Sequence, residues 1–310
     1  MALDEFDTPW HAGERRLQAR AGSEERLAEV GRRVLRDFMP DQHRTFFEQL
    51  PFVVLGTIDA AGRPWATLLE GRPGFIRSPT SRKLRIDATW GADDPAWSSP
   101  APGERGGVGL LGIELPTRRR NRANGLLSAV AGALELDVVQ SFGNCPQYIH
   151  TRTPRFVREP GTAAPADELE AASDARAVIA AADTFFVSTG VPDVPRATWA
   201  VDVSHRGGRP GFVDVGEQWL TIPDYAGNNF FNTLGNIEVY PRAGLLFVDF
   251  ARGDVVQVSG EARLRWDGVP ELGGERARER SWQVRMDRVV WRPNALALRF
   301  ERTEERAALR

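Results

Sequence analysis

The sequence has almost no cysteine, a single lysine and no long apolar run, and each shortage narrows what it can do. One cysteine, Cys145, excludes an intrachain disulfide and a cysteine-based zinc cluster. The four histidines, His11, His43, His150 and His205, show no spacing suited to a metal site. Of 40 basic residues only Lys83 is a lysine, a replacement so uniform that it reads as coding bias. No apolar stretch approaches the ~20 residues that span a bilayer. The acidic start, Met1 to Asp7, lacks a signal-peptide core, so the expected compartment is the cytoplasm. A formal charge of −2 argues against a general nucleic-acid binder. Serine-nucleophile elbow, Walker loop and dinucleotide-binding glycine fingerprint are all missing.

What is present suffices for a full core: 310 residues, 42% hydrophobic and 26% charged. Residues 13–38 place Leu27, Val30, Val34, Leu35 and Phe38 on one helical stripe. Ser23 is placed to restart a helix after Gly22, and Pro40 to close it. A second helix is predicted from Asp41 to Leu50, carrying Phe46 and Phe47 toward the core and ended by Pro51. Short β-branched and apolar runs follow at 52–58, 65–69, 74–76, 84–86 and 108–115. Residues 91–107 read as a long loop, 151–165 as a linker and 168–182 as an alanine-faced helix. Strands resume at Phe185.

The sequence then repeats itself. Trp65-Ala66 returns as Trp199-Ala200 at an offset of 134, and Gly71-Arg72-Pro73-Gly74-Phe75 as Gly208-Arg209-Pro210-Gly211-Phe212 at 137. Leu84-Arg85-Ile86 matches Leu220-Thr221-Ile222 at 136, and Gly109-Leu110-Leu111 matches Gly244-Leu245-Leu246 at 135, as do Gly125 and Gly260. Ordered matches at so long a period predict two copies of a small domain rather than a solenoid. The expected organisation is a helical segment over 1–50, a first barrel over 51–150, a linker and helix over 151–183, and a second barrel over 184–310. The fold class is mainly β with α decoration, since closing each sheet removes its exposed edges.

Candidate chemistry concentrates in the second copy. Asn228, Asn229, Asn232 and Thr233 lie in a Gly-punctuated loop leading into a short helix, with Asn228 or Asn229 as N-cap. A helix N-terminus offers free N–H groups to a phosphate, although the asparagines serve equally to cap and turn. Ser204, His205, Arg206, Arg209 and Pro210 follow a strand, either as an anion-binding turn or as a glycine-rich hairpin with solvated arginines. In the first copy, strand alternation sends Arg118, Arg120 and Arg122 to one face, either an anion-binding face or a solvated edge. Cys145, in the unusual segment 140–149, reads as a small buried residue, with His150 five positions away.

The run ending Tyr240-Pro241-Arg242-Ala243-Gly244-Leu245-Leu246-Phe247-Val248-Asp249, followed by 255–262 with its Gly260-Glu261-Ala262 ending, resembles the FMN-binding split barrel of pyridoxamine 5′-phosphate oxidase-like proteins. The likeness covers 184–265, and 52–130 through the repeat. Tyr240 stands where asparagine is usual, and Phe231-Asn232-Thr233 where the family often has Ser/Thr-x-Lys. The resemblance implies two tandem split β-barrels and non-covalent FMN in a cleft between them. Phosphate ligands carry over to Asn229, Asn232 and Thr233, while Ser204, His205, Arg206 and Arg209 sit on the flavin or its phosphate. It implies an oxidoreductase acting on a small organic substrate, with a reduced nicotinamide or flavin as donor, and a possible homodimer. A C-terminal arginine/histidine pair for pyridoxamine phosphate is missing, so that substrate is not expected. The alternatives are a non-catalytic flavin or haem carrier, with His205 as axial ligand, and a site confined to the second barrel with the first as structural partner.

Overall fold

The computed structural model describes residues 8–88, 93–98, 105–130, 132–162, 175–196, 198–266 and 280–303. Most of its strands form two antiparallel sheets. The first holds β1 (Phe52–Ile58), β2 (Pro64–Glu70), β3 (Ile76–Thr80), β4 (Lys83–Ile86), β5 (Arg105–Glu114), β6 (Arg119–Val130) and β7 (Ala133–Gly143). After β8 (Arg152–Phe156) comes the second, with β9 (Thr184–Asp193), β10 (Thr198–Gly207), β11 (Asp214–Val215), β12 (Trp219–Pro223), β13 (Arg242–Val248), β14 (Val255–Arg265) and β15 (Ser281–Arg285). The first runs β2-β1-β5-β6-β7-β4-β3 and the second β10-β9-β13-β14-β15-β12-β11. Replacing each strand by the one eight places later converts one order into the other. The architecture is two split barrels with few helices.

Alternation along β1 and β9 builds three layers of core. Val53 and Leu55 point into the first barrel, and Phe185 and Val187 into the second. Their neighbours Phe52, Val54 and Phe186 turn outward and meet in a shared layer between the barrels. Both faces are covered, so these strands read as unbroken apolar runs rather than half-polar ones. Truncating a residue such as Leu55 to alanine should cost about 2–5 kcal/mol.

The barrels meet through matched glycines. A Cβ on Gly109 of β5 would lie 2.8 Å from the Asp202 carbonyl carbon on β10. On its counterpart Gly244 of β13 it would lie 2.3 Å from the Pro64 carbonyl oxygen on β2. Each barrel thus presses the same strand against the other barrel's hairpin, an approximate two-fold relation within one chain.

Strand pairing also corrects the repeat alignment. Gly109 pairs with Gly56 and Gly244 with Ser188, while Gly56 pairs with Ala66 and Ser188 with Val203. Ala66 therefore corresponds to Val203 at an offset of 137, continuous with Gly71 and Gly208. The Trp65/Trp199 match at 134 is out of register, because Trp199 lies opposite Pro192 in a longer hairpin.

The N-terminal segment forms α1 (Ala12–Arg20), α2 (Glu24–Val34) and α3 (Asp41–Glu48): the helix read over 13–38 restarts after Ser23 as expected, and it ends at Val34, short of Phe38. Gly22, at φ +63°, breaks the first, since only glycine enters that region cheaply. α3 sinks Phe46 and Phe47 into the first barrel. α1 lies on α5 (Asn232–Val239) of the second, with Gly13 and Gly235 in close approach. The predicted linker is also partly strand: β8 pairs with β17 (Leu298–Arg302), and Arg152 forms a buried ion pair with Asp183 at 2.6 Å. Of the helix predicted over 168–182, α4 (Ala175–Ala181) is described, and 168–174 lies outside the described residues. β16 (Arg288–Arg292) pairs with β14, completing the edge that β7 covers as one strand in the first barrel.

Candidate functional site

A pocket opens where the first barrel's β6 crosses the second barrel's β10. Its floor is Ser204, His205 and Arg206 of β10 together with Arg120 and Arg122 of β6. The start of α5 supplies Asn232 and Thr233, and the preceding loop supplies Asn228 and Asn229. Asn144, Cys145, Gln147 and Tyr148 form the rim, with Tyr148 stacked on Tyr225 at 5.4 Å.

Arg122 ties the two barrels together. Its guanidinium donates to Asp202 Oδ1 at 3.0 Å, Asn232 Oδ1 at 2.8 Å and Ser204 Oγ at 2.6 Å. Thr233 donates to the same Ser204 oxygen at 2.9 Å. Arg280 pairs with Asp224 at 3.0 Å on the far wall. Two cations of the pocket remain with no carboxylate at hydrogen-bond distance among the described residues. Arg206 is one. Arg120 is the other, and it donates to Nδ1 of His205 at 3.2 Å. That bond leaves the proton of the neutral imidazole on Nε2.

Arginines outnumber carboxylates among the residues that line the pocket. Burial, then the charges of Arg122 and Arg206, pulls Arg120 down to about 9. Burial lowers Arg206 as well, and it drives His205 well below the usual imidazole range, with Arg120 and Arg206 adding to the effect. Burial raises Asp224, against the pull of Arg206 and Arg280. Four N–H groups of pocket residues, Nε of Arg120, Arg122 and Arg206 and Nε2 of His205, are buried without an acceptor among the described residues. Leaving buried donors unpaired is expensive, and donors of cations more so.

A larger cleft of about 390 Å³ adjoins it, sharing Asn232. Trp199, Val191 and Val201 give it apolar walls, and Asn124, Gln140 and Asn236 give it amides. Glu14 of α1 closes one side, accepting from Asn232 Nδ2 at 2.6 Å and from the His11 backbone at 3.0 Å. Burial raises Glu14 to about 8 and lowers His11 to about 4, so their 3.6 Å contact joins two neutral groups near pH 7.

Of the residues singled out in the sequence, Ser204, His205, Arg206, Asn228, Asn229, Asn232 and Thr233 all line this pocket. Arg209 and Pro210 do not. They lie exposed in the turn after β10, where the Arg209 carbonyl accepts from Phe212, and Pro210 faces a separate depression beside Asp183. The helix starts later than expected. Its N-cap is Phe231 at φ +61°, while Asn228 Oδ1 accepts from the Phe230 backbone and Asn229 takes a left-handed conformation of its own. Arg118 leaves the expected arginine face because it sits in a turn at φ +58°, whereas Arg120 and Arg122 point into the pocket. The pocket is therefore not confined to the second barrel. Alternation on β6 gave a signal for its two arginines. Nothing in the sequence signalled Asp202, Asp224, Arg280 or Glu14. Cys145, read as buried, is half-buried on the rim.

Among the described residues no group of three or more His, Cys, Asp or Glu side chains is placed to hold a metal ion, and no helix is long and apolar enough to cross a membrane. No family model and no curated protein matches the chain. Solved structures do show a partial likeness. HupZ of Group A Streptococcus is 12% identical over 34% of this chain and 94% of its own, with a TM-score of 0.25. A putative pyridoxamine 5′-phosphate oxidase of Lactobacillus delbrueckii is 14% identical over 34% and 95%, at 0.27. A Clostridium acetobutylicum protein related to general stress protein 26, of the pyridoxinephosphate oxidase family, is 9% identical over 42% and 92%, at 0.28. Two of these three neighbours are described as pyridoxamine or pyridoxinephosphate oxidase relatives, and the three cover between 34% and 42% of this chain.

Proposed function

We propose that the chain binds FMN between its barrels and acts as an oxidoreductase on a small organic substrate. The observation that carries this reading is the set of buried, acceptor-less N–H groups on Arg120, Arg122, Arg206 and His205. They fit a phosphate, with Ser204 and Thr233 hydroxyls and the first N–H groups of α5 beside them. The adjoining cleft, with Trp199 and the amides of Asn124 and Gln140, suits a flat heteroaromatic ring that is apolar on its faces and polar at its edge. FMN would supply hydride or electron transfer, and the protein binding, orientation and exclusion of water. A reduced nicotinamide or a second flavin is the donor class proposed.

The test is the absorption spectrum of purified protein, before and after adding FMN. Flavin bands that stay with the protein through gel filtration support the reading. A protein that remains colourless sinks it. NAD(P)H oxidation by the loaded protein separates an enzyme from a flavin carrier. His205 as a haem ligand gains nothing from the geometry: it is 3% exposed, with Phe186 edge-on at 5.8 Å and Arg120 on Nδ1. One chain already contributes both barrels to the cleft, so the proposed binding does not require a homodimer.

A further inference from the structure

The first barrel carries the counterpart of this pocket, and the chain fills it from within. We infer that Asp94 is a built-in carboxylate ligand of a relict oxyanion site. The consequence, which rests on the FMN reading, is one cofactor per chain.

The correspondence comes from strand pairing. Arg122 of β6 lies opposite Leu111, and Gln257 of β14 opposite Leu246. Leu111 and Leu246 match at the offset of 135, so Gln257 stands where Arg122 does. By the register already established on β2 and β10, Thr67 stands where Ser204 does. In the second barrel's pocket Arg122 reaches across the interface to Ser204, and Thr233 from the β12–β13 connection donates to it. In the first, Gln257 reaches across the opposite way, donating to the Ala66 carbonyl and to Asp94 Oδ1, both at 2.9 Å. Thr67 donates to Asp94 Oδ2.

Asp94 thus holds, in the β4–β5 connection, the place Thr233 holds in the β12–β13 connection. A second pair of matched residues anchors both connections alike. Thr57 donates to the Ala96 carbonyl at 3.1 Å, and its counterpart Thr189 accepts from Asn236 Nδ2 at 3.0 Å.

The donors around Asp94 are those an oxyanion takes. They are the Thr67 hydroxyl, the Gln257 amide, the Arg292 guanidinium at 2.9 Å and the Ala96 N–H at 3.0 Å. Asp94 is 5% exposed, so the carboxylate depends on them. An incoming phosphate would meet its charge and find these donors taken. The counterparts of Arg120 and Arg206 are Val255 and Leu69, and that of His205 is Leu68, which leaves Arg292 as the guanidinium at this site.

Asp94→Ala in the full chain tests the assignment by chemical rescue. It should melt roughly 5 °C or more below the parent. Formate or acetate at tens of millimolar should restore at least half of that loss, and should leave the parent unchanged. Asp94→Asn keeps the shape without the charge and should be destabilised without rescue. If Asp94→Ala is isolated only unfolded, refolding from urea with and without formate gives the same reading: recovery only with formate. No destabilisation, or no response to formate in melting or refolding, overturns the proposal. Titration of the parent with FMN should saturate at one per chain, and two per chain would overturn it as well. A chain that binds no FMN removes the flavin reading, while formate rescue still decides the role of Asp94.

Discussion

Arg122 of the first barrel and Ser204 of the second meet at 2.6 Å, so neither barrel contains the pocket alone. The same guanidinium faces Asp202, and both side chains are under one-tenth exposed. Arg122→Ala should therefore act twice. It leaves Asp202 buried with hydrogen bonds from Asn124 and Ser204 but without its salt bridge, which costs up to about 3–5 kcal/mol. It should also weaken FMN binding at least tenfold. Urea denaturation and FMN fluorescence titration read the two effects separately. A stable variant with unchanged affinity would remove Arg122 from the site.

Arg206 makes the opposite prediction. No carboxylate lies at hydrogen-bond distance from it, and burial is the main cause of its lowered pKa. Arg206→Met keeps much of the apolar stem and removes a buried charge with no hydrogen-bonded carboxylate, while Asp224 keeps Arg280 at 3.0 Å, so the protein without FMN should melt higher. Phosphate and FMN should bind at least tenfold more weakly. Scanning fluorimetry with and without phosphate tests both; a lower melting point without ligand would show that Arg206 supports the fold.

Glu14 sets a pH dependence. Its pKa is raised from 4.5 to about 8, so the protonated form is favoured by folding. That contribution is complete below about 4.5 and is lost as pH rises through about 8. His11 runs the other way: its pKa falls from 6.5 to about 4, and its contribution is complete above 6.5 and lost as pH falls through 4. The two oppose each other below 6.5. Between about 6.5 and 8 Glu14 acts alone, and stability should decline. Glu14→Gln should flatten that limb in melting curves taken across the range, and an unchanged slope would assign it elsewhere.

The matched glycines should be intolerant of any side chain. Gly244→Ala places a methyl against the Pro64 carbonyl oxygen, a backbone atom that cannot step aside. The cost should be about 1–3 kcal/mol or more. Gly132, with nothing within 4 Å of a Cβ, tests the effect of its φ of +76° alone. Gly132→Ala should lower the denaturation midpoint less than Gly244→Ala does.

Part of the pocket is legible in the residues themselves. The Ser204–Arg206 strand and the Asn228–Thr233 loop stand out because hydroxyls, amides and cations crowd into short windows beside glycine. Other parts leave no local trace. Asp202 becomes a partner of Arg122 only when β10 crosses β6, 80 residues apart in sequence. Arg209 and Pro210 match Arg72 and Pro73 in the repeat, yet the turn carries them outward. The Trp65/Trp199 match failed because two identical residues say nothing about hairpin length, which pairing alone reveals.

The sequence by itself determined the two barrels. Strand patterning, turn residues and most of the ordered matches are local properties, and closing each sheet around its apolar face satisfies them. Only the tertiary structure decided where the pocket lies. The approximate two-fold brings together charges from both copies, and a buried charge is tolerable only where another chain segment or a ligand meets it. Asp94 meets the donors in one pocket. In the other, Arg120 and Arg206 have no carboxylate at hydrogen-bond distance among the described residues, and that difference separates two copies of one fold.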